Sequence, residues 1–200
     1  RAGYAIGLIA RDEPVLTELD SQLSASGAKV VTARADVTDP GQLQGALESC
    51  ATALGTPDVV VSNTSMFVEA TPTNVDPAIF ELTWRVACLG SLIALQQVIP
   101  GMRKQGSGVF LMPGTPLALK PWPPGAALGA AKAAARSLVM NAGVELAPEN
   151  IHAAVITIDG VIKAGTDFDP ELIAERFFEV AGLPAQEWKP EHNYPRTDSN

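Results

Sequence analysis

Cysteine, histidine and tyrosine are scarce in this chain of 200 residues, which has two of each. Cys50 and Cys88 stand far apart. Neither they nor His152 and His192 have neighbours at ligand spacing, so no metal site is expected. Two isolated thiols point to a reducing, cytoplasmic setting in which both sulfurs behave as small buried hydrophobes. Basic residues number 14 against 22 acidic ones, giving a net charge of -8 and a pI of about 4.7. That balance argues against nucleic acid and anionic lipid as partners, since both need a basic face. No run of about 18 apolar residues is free of charges and helix breakers, so no membrane span is expected. What remains is a globular composition, 46% hydrophobic, long enough for one domain with a sizeable core.

Short apolar runs alternate with segments of helical period. "YAIGLIA" (4–10), "AKVVTARADV" (28–37), "PDVVVSNTS" (57–65), "SGVFLMPGT" (107–115) and "IHAAVITIDGVI" (151–162) read as strands. Between them lie helices: one from Glu13 to a C-cap at Gly27, one over 39–55, a long one over roughly 76–104, and an alanine-rich one containing "AALGAAKAAARSL". Pro100 is expected to interrupt or end the long helix. A last helix in "DPELIAERFFEVAGL" leads into "PAQEWKPEHNYPRTDSN". This alternation predicts a mostly parallel, doubly wound sheet in a three-layer αβα domain over 1–185, followed by a loosely ordered polar tail over 186–200. Ligands of such folds bind at the carboxyl ends of the strands. The residues there are Arg11-Asp12, Asp36 in "ADVTD", "SNTS" (62–65), "MPGT" (112–115) and "IDGVI" (158–162).

In order and spacing, the segments "ADVTD", "PDVVVSNTS", "FELTWRVACLGSLIALQQVIPGMRKQGSGVFLM" and "AAKAAARSLVMNAGVELAPENIHAAVITIDG" resemble the short-chain dehydrogenase/reductase family over nearly the whole chain. The resemblance implies a Rossmann-type sheet, a nicotinamide cofactor, and hydride transfer between a carbonyl and an alcohol of a small-molecule substrate. It also implies a serine after the fourth strand, a Tyr-x-x-x-Lys on the next helix, and an asparagine in the preceding helix. Lys132 matches the family lysine, and Thr115 takes the serine position. Leu128 and Ala87 stand where the tyrosine and asparagine belong. Residues four apart share a helix face, so the ammonium would favour a phenolate beside it. Leucine has no proton to give.

The resemblance further implies cofactor contacts at Arg11, Asp36, Val37, Asn63, Lys132 and Gly160. An Arg11 clamp on a 2′-phosphate would favour NADP, with NAD as the alternative. Each has a plainer reading: a strand-end charge for Arg11, a turn aspartate for Asp36, sheet support for Asn63, and a backbone-bonded hydroxyl for Thr115. The two long helices would pair copies into a dimer or tetramer. The family's first strand and glycine-rich turn have no counterpart, and "VIKAGTDFDPEL" is short for its substrate loop. The expectation is therefore that residues are absent before Arg1 and near Gly165, and that an apolar gap lies between the strands at 4–10 and 57–63. The function expected is a divergent, weakly active oxidoreductase. The alternative is a non-catalytic cofactor-binding or oligomerising protein of the same fold.

Overall fold

The computed structural model of the chain describes residues 3–195. Strand β1 (Ile6–Ala10) leads through α1 (Glu13–Ala25) to β2 (Val30–Arg34), α2 (Pro40–Leu54) and β3 (Val59–Val61). A long helical run comprises α3 (Pro77–Trp84), a π-helical turn (Arg85–Leu89) and α4 (Gly90–Gln105). Then come β4 (Gly108–Gly114), α5 (Ala126–Leu146), β5 (Ile151–Ile158), α6 (Pro170–Ala181) and β6 (Glu191–Tyr194). All strand pairings among the described residues are parallel, in two sheets ordered β1-β2 and β3-β4-β5-β6. This is the expected doubly wound α/β fold, divided between β1 and β3.

Helix starts follow one local rule. Asp12, Asp39, Asp76 and Asp169 each accept a backbone N–H of the helix they precede, and proline occupies one of the first two helical positions of each. The strands are apolar because helices cover both sides. All eight residues of β5 are buried. Ala153 and Val155 join the core built from α4, α5 and β4, and Ala154 and Ile156 face the smaller core under α6. Each fully buried branched or aromatic side chain contributes about 1.5–3 kcal/mol.

α5 approaches β5 very closely. A Cβ on Gly143 would overlap the Ala153 carbonyl oxygen. Backbone cannot yield as a side-chain tip can, so Gly143→Ala should cost about 1–3 kcal/mol. Thermal unfolding should show a Tm about 3–10 °C lower.

Two expectations are corrected, at Pro100 and at the end of the domain. Pro100 lies inside α4 and neither ends nor breaks it. Both Pro100 and Gln96, whose carbonyl loses its helical partner, are on the exposed side, where water can bond that oxygen. The domain does not stop at 185, because Glu191–Tyr194 pairs with Val155–Ile158 as an edge strand. Charge hides this strand from a hydrophobicity reading: Glu191 takes the Arg136 guanidinium and the Thr157 hydroxyl. Residues 196–200 of the expected tail lie outside the described residues. Finally, the run Pro77–Gln105 is by length and composition apolar enough to cross a membrane. Here Ile93, Leu95, Val98 and Met102 of that run are buried in the protein core.

Behind β6 sits an unsatisfied pair of histidines. His152 stacks on Trp188 with centroids 4.9 Å apart and meets the His192 ring edge-on at 5.6 Å. His152 Nδ1 and His192 Nε2 are buried with no hydrogen-bond partner. Burial, then the charges of His152, Arg176 and Lys189, pushes His192 down to about 4. Burial also lowers His152. A depressed histidine contributes stability that is full above its unfolded pKa, near ~6.5, and lost as pH falls toward the folded value. Allowing for partial screening, His192 should cost about 2 kcal/mol on going from pH 7 to pH 4.5. Across that range the wild-type Tm should fall about 4–8 °C further than that of His192→Gln, measured by calorimetry.

Candidate functional site

Lys132 stands in the middle of α5 among alanines, with Ala131 and Ala135 buried on either side of it. These small side chains let the helix lie against the strand tips, and the lysine itself is only 4% exposed. Its Nζ donates to the carbonyls of Thr64 at 3.1 Å and Pro113 at 3.2 Å. Thr64 follows β3 and Pro113 lies near the end of β4, so the ammonium is pinned at the carboxyl ends of both strands. An ammonium has three donors, and these bonds use two. No ion pair to Lys132 occurs among the described residues. Burial pushes its pKa down to about 8. At pH 7 the charged form still leads about tenfold.

The surroundings hold this arrangement. The Thr64 hydroxyl donates to the Val86 carbonyl at 2.8 Å, and the hydroxyls of Ser62 and Ser91 bond each other at 2.9 Å. Ser91 also donates to the Ala87 carbonyl at 3.0 Å. Ala87 is fully buried in the π-helical turn. Leu128 is half-buried, one helical turn before Lys132. The Thr115 hydroxyl accepts from the Leu117 backbone N–H at 3.4 Å, capping the short turn Pro116–Ala118. Its own hydrogen is left to donate.

A second cluster lies at the tips of β1 and β2. The Asp36 carboxylate accepts from the backbone N–H and hydroxyl of Thr38, at 2.9 and 2.7 Å, and these bonds, more than Arg11, hold its pKa down. Arg11 is 3.9 Å away and largely exposed. The sequence reading passed over Arg34, whose Nε donates to the Arg11 carbonyl at 3.0 Å. Its one signal was its place at the end of a strand, two residues before Asp36. Ser91 gave no signal. Val37 is half-buried against Gly90, and Asn63 is exposed. Gly160 stands apart from these groups, and the Phe168 ring fills the space where its Cβ would be. The 159–169 connection is a closed turn, with Lys163 N–H on the Phe168 carbonyl at 3.0 Å and Gly165 N–H on Asp169 at 2.6 Å.

The fit to a dinucleotide can be tested on these groups. The ends fit: two guanidiniums at β1 and β2 suit an adenosine phosphate, and the third Lys132 N–H suits a sugar hydroxyl. The middle does not fit the described residues after β1 and β2. The N-termini of α1 and α2 are capped by the carboxylates of Asp12 and Asp39, so neither offers free N–H groups to a pyrophosphate.

The short chain dehydrogenase profile matches residues 1–174. The chain is 36% identical over 108 residues to the glycine betaine reductase ATRR of Emericella nidulans, covering 54% of this chain but 8% of that protein. It is 29% identical over 169 residues to an uncharacterized oxidoreductase of Staphylococcus epidermidis, covering 83% and 72% respectively. An alcohol dehydrogenase from the archaeon Thermococcus sibiricus, solved with 5-hydroxy-NADP, superposes with a TM-score of 0.87 at 22% identity, covering 100% of this chain and 88% of that one.

Proposed function

The chain belongs to the short-chain dehydrogenase family, and from that premise we propose that it is a weakly active NADP(H)-dependent oxidoreductase acting on a small carbonyl, alcohol or related substrate. The observation that carries this reading is the buried Lys132 ammonium. It is held at the strand tips by two carbonyls and keeps one donor for the nicotinamide ribose. Bound NADP(H) supplies or accepts the hydride. Thr115 donates its hydroxyl hydrogen to the substrate oxygen. Arg11 and Arg34 select NADP over NAD through the 2′-phosphate, and Asp36 and Val37 border the adenine. Asn63 supports the loop after β3.

Proton donation is the weak step. Leu128 carries no acid, so reduction draws on water, or is confined to substrates that need no phenol. The two unpaired thiols, Cys50 and Cys88, suit a reducing cytoplasm. Phe80 and Trp84 on α3 and Val144 on α5 are exposed apolar residues on the long helices, and they suit self-association into a dimer or tetramer.

Titrating NADPH against tryptophan fluorescence tests the reading. Saturable binding is expected, and Arg11→Ala combined with Arg34→Ala should weaken NADPH about tenfold or more while leaving NADH within about twofold. Failure of the full chain to bind either nucleotide overturns it. The absent acid at Leu128 favours a second reading, a non-catalytic cofactor-binding protein. Binding without turnover on ketones, aldehydes and enones would select that one.

A further inference from the structure

The connections after β3 and β4 carry Thr64 and Thr115, and they are laced to each other. The Ala70 N–H donates to the Pro124 carbonyl at 2.9 Å, and Ala70 and Gly125 form a parallel bridge. Across this seam the Phe67 and Trp122 rings stack, with centroids 6.0 Å apart and planes 18° off parallel. Phe67 lies three residues after Thr64, whose carbonyl holds Lys132. Trp122 closes over Gly125 together with Leu117: a Cβ there would come within 2.6 Å of the ring and 3.2 Å of Leu117 Cδ1. Leu117 in turn donates its N–H to the Thr115 hydroxyl. The indole is thus one side chain removed from Thr115. Yet Phe67 is 52% exposed and Trp122 47%, and Leu119 on the same connection is exposed as well.

Each exposed ring forgoes roughly 25 cal/mol for every Å² of apolar surface left in water. These two are also held ready. Pro121, Pro123 and Pro124 fix the chain on both sides of Trp122, so a ligand that covers the ring meets little ordering cost. A third ring does not fit between the two, since two contacts of ~3.5 Å need about 7 Å. A ligand must lie on an outer face, and a flat body covers a flat face best. Charge narrows its class. The Lys132 ammonium, without an ion pair among the described residues, repels a cation, and the net charge of -8 repels an anion. We propose that Phe67 and Trp122 form a stacking platform by which the site selects uncharged aryl ketones and aldehydes, with the ring on the pair and the carbonyl oxygen at the Thr115 hydroxyl. This assignment deepens the oxidoreductase reading and rests on it for the carbonyl, though not for the ring.

The probe is para-fluoroacetophenone, titrated into the full chain with and without NADP+ and followed by its fluorine NMR line. It should bind about fivefold or more tightly than cyclohexyl methyl ketone, its saturated counterpart, used as the competitor. Phe67→Ala and Trp122→Ala should each weaken the aryl ketone about fivefold or more while leaving NADP+ within about twofold. Trp122→Phe, which keeps a flat face, should retain most of the preference. Equal affinity for the two ketones overturns the proposal, as does absence of aryl ketone binding both with and without NADP+. Tighter binding of phenyltrimethylammonium overturns it in favour of a cation site. Aryl preference without any NADP+ binding supports the platform and overturns the cofactor reading instead. The ketone comparison uses the chain unaltered, so the test survives a variant that does not fold.

Discussion

Leu128→Tyr should raise NADPH-dependent carbonyl reduction by about 10²–10⁴-fold over the wild-type chain. The phenol would stand one turn before Lys132, on the face that points to the tips of β3 and β4. An ammonium held in a water-poor site stabilises a phenolate strongly, which brings the tyrosine pKa toward neutrality. The lysine is already anchored by two carbonyls, so the substitution supplies the proton donor that Leu128 cannot be. Initial rates on a ketone panel at pH 7 measure the gain. The increase should lie in kcat, with NADPH affinity unchanged. A folded variant that binds NADPH and shows no gain would mean that more than an acid is missing, with Ala87 the next position to restore.

The second large effect concerns stability. Lys132→Met should change the pH dependence of folding by about 3 kcal/mol between pH 8 and pH 10.5. The lysine pKa is about 8 in the fold, against ~10.4 when unfolded. In that window the unfolded chain binds more protons than the folded one, so wild-type stability rises with pH as the penalty of a buried charge disappears. The methionine variant has no such titration. Subtracting its urea-unfolding profile from that of the wild type cancels every other group, including the thiols of half-buried Cys50 and buried Cys88, whose pKa values burial raises. Below about pH 7, where both states hold the proton, the difference should be flat. The same variant should lose NADPH binding. A chain that keeps a destabilising ammonium in its core gives up stability at neutral pH, which is expected of a functional group and not of a packing residue.

The sequence made some of this legible for plain reasons. β4 and β5 are buried on both faces, so their continuous apolar runs announce strands under helices. The Asp-Pro pairs mark helix starts because each aspartate caps an N–H and each proline has none to cap. Lys132 stood out because nothing polar surrounds it in the chain. β6 was illegible: its Glu191 and His192 are polar letters whose partners, Arg136 and His152, come from distant elements. Arg34 was missed because a strand-end arginine looks solvated until Arg11 is seen beside it. Thr115 and Asp36 are named correctly as strand-tip residues. Only coordinates show how much of each is already spent on the local turns around Leu117 and Thr38.

Among the described residues, β1 and β3 each have one edge without a strand partner, which bears on how this chain behaves in a tube. Unpaired backbone rows invite coupling between molecules, and the net charge of -8 is what keeps molecules apart. At ~0.15 M salt that repulsion reaches only about 8 Å. Turbidity on storage should therefore climb with ionic strength and as the buffer nears pH 4.7, the isoelectric point.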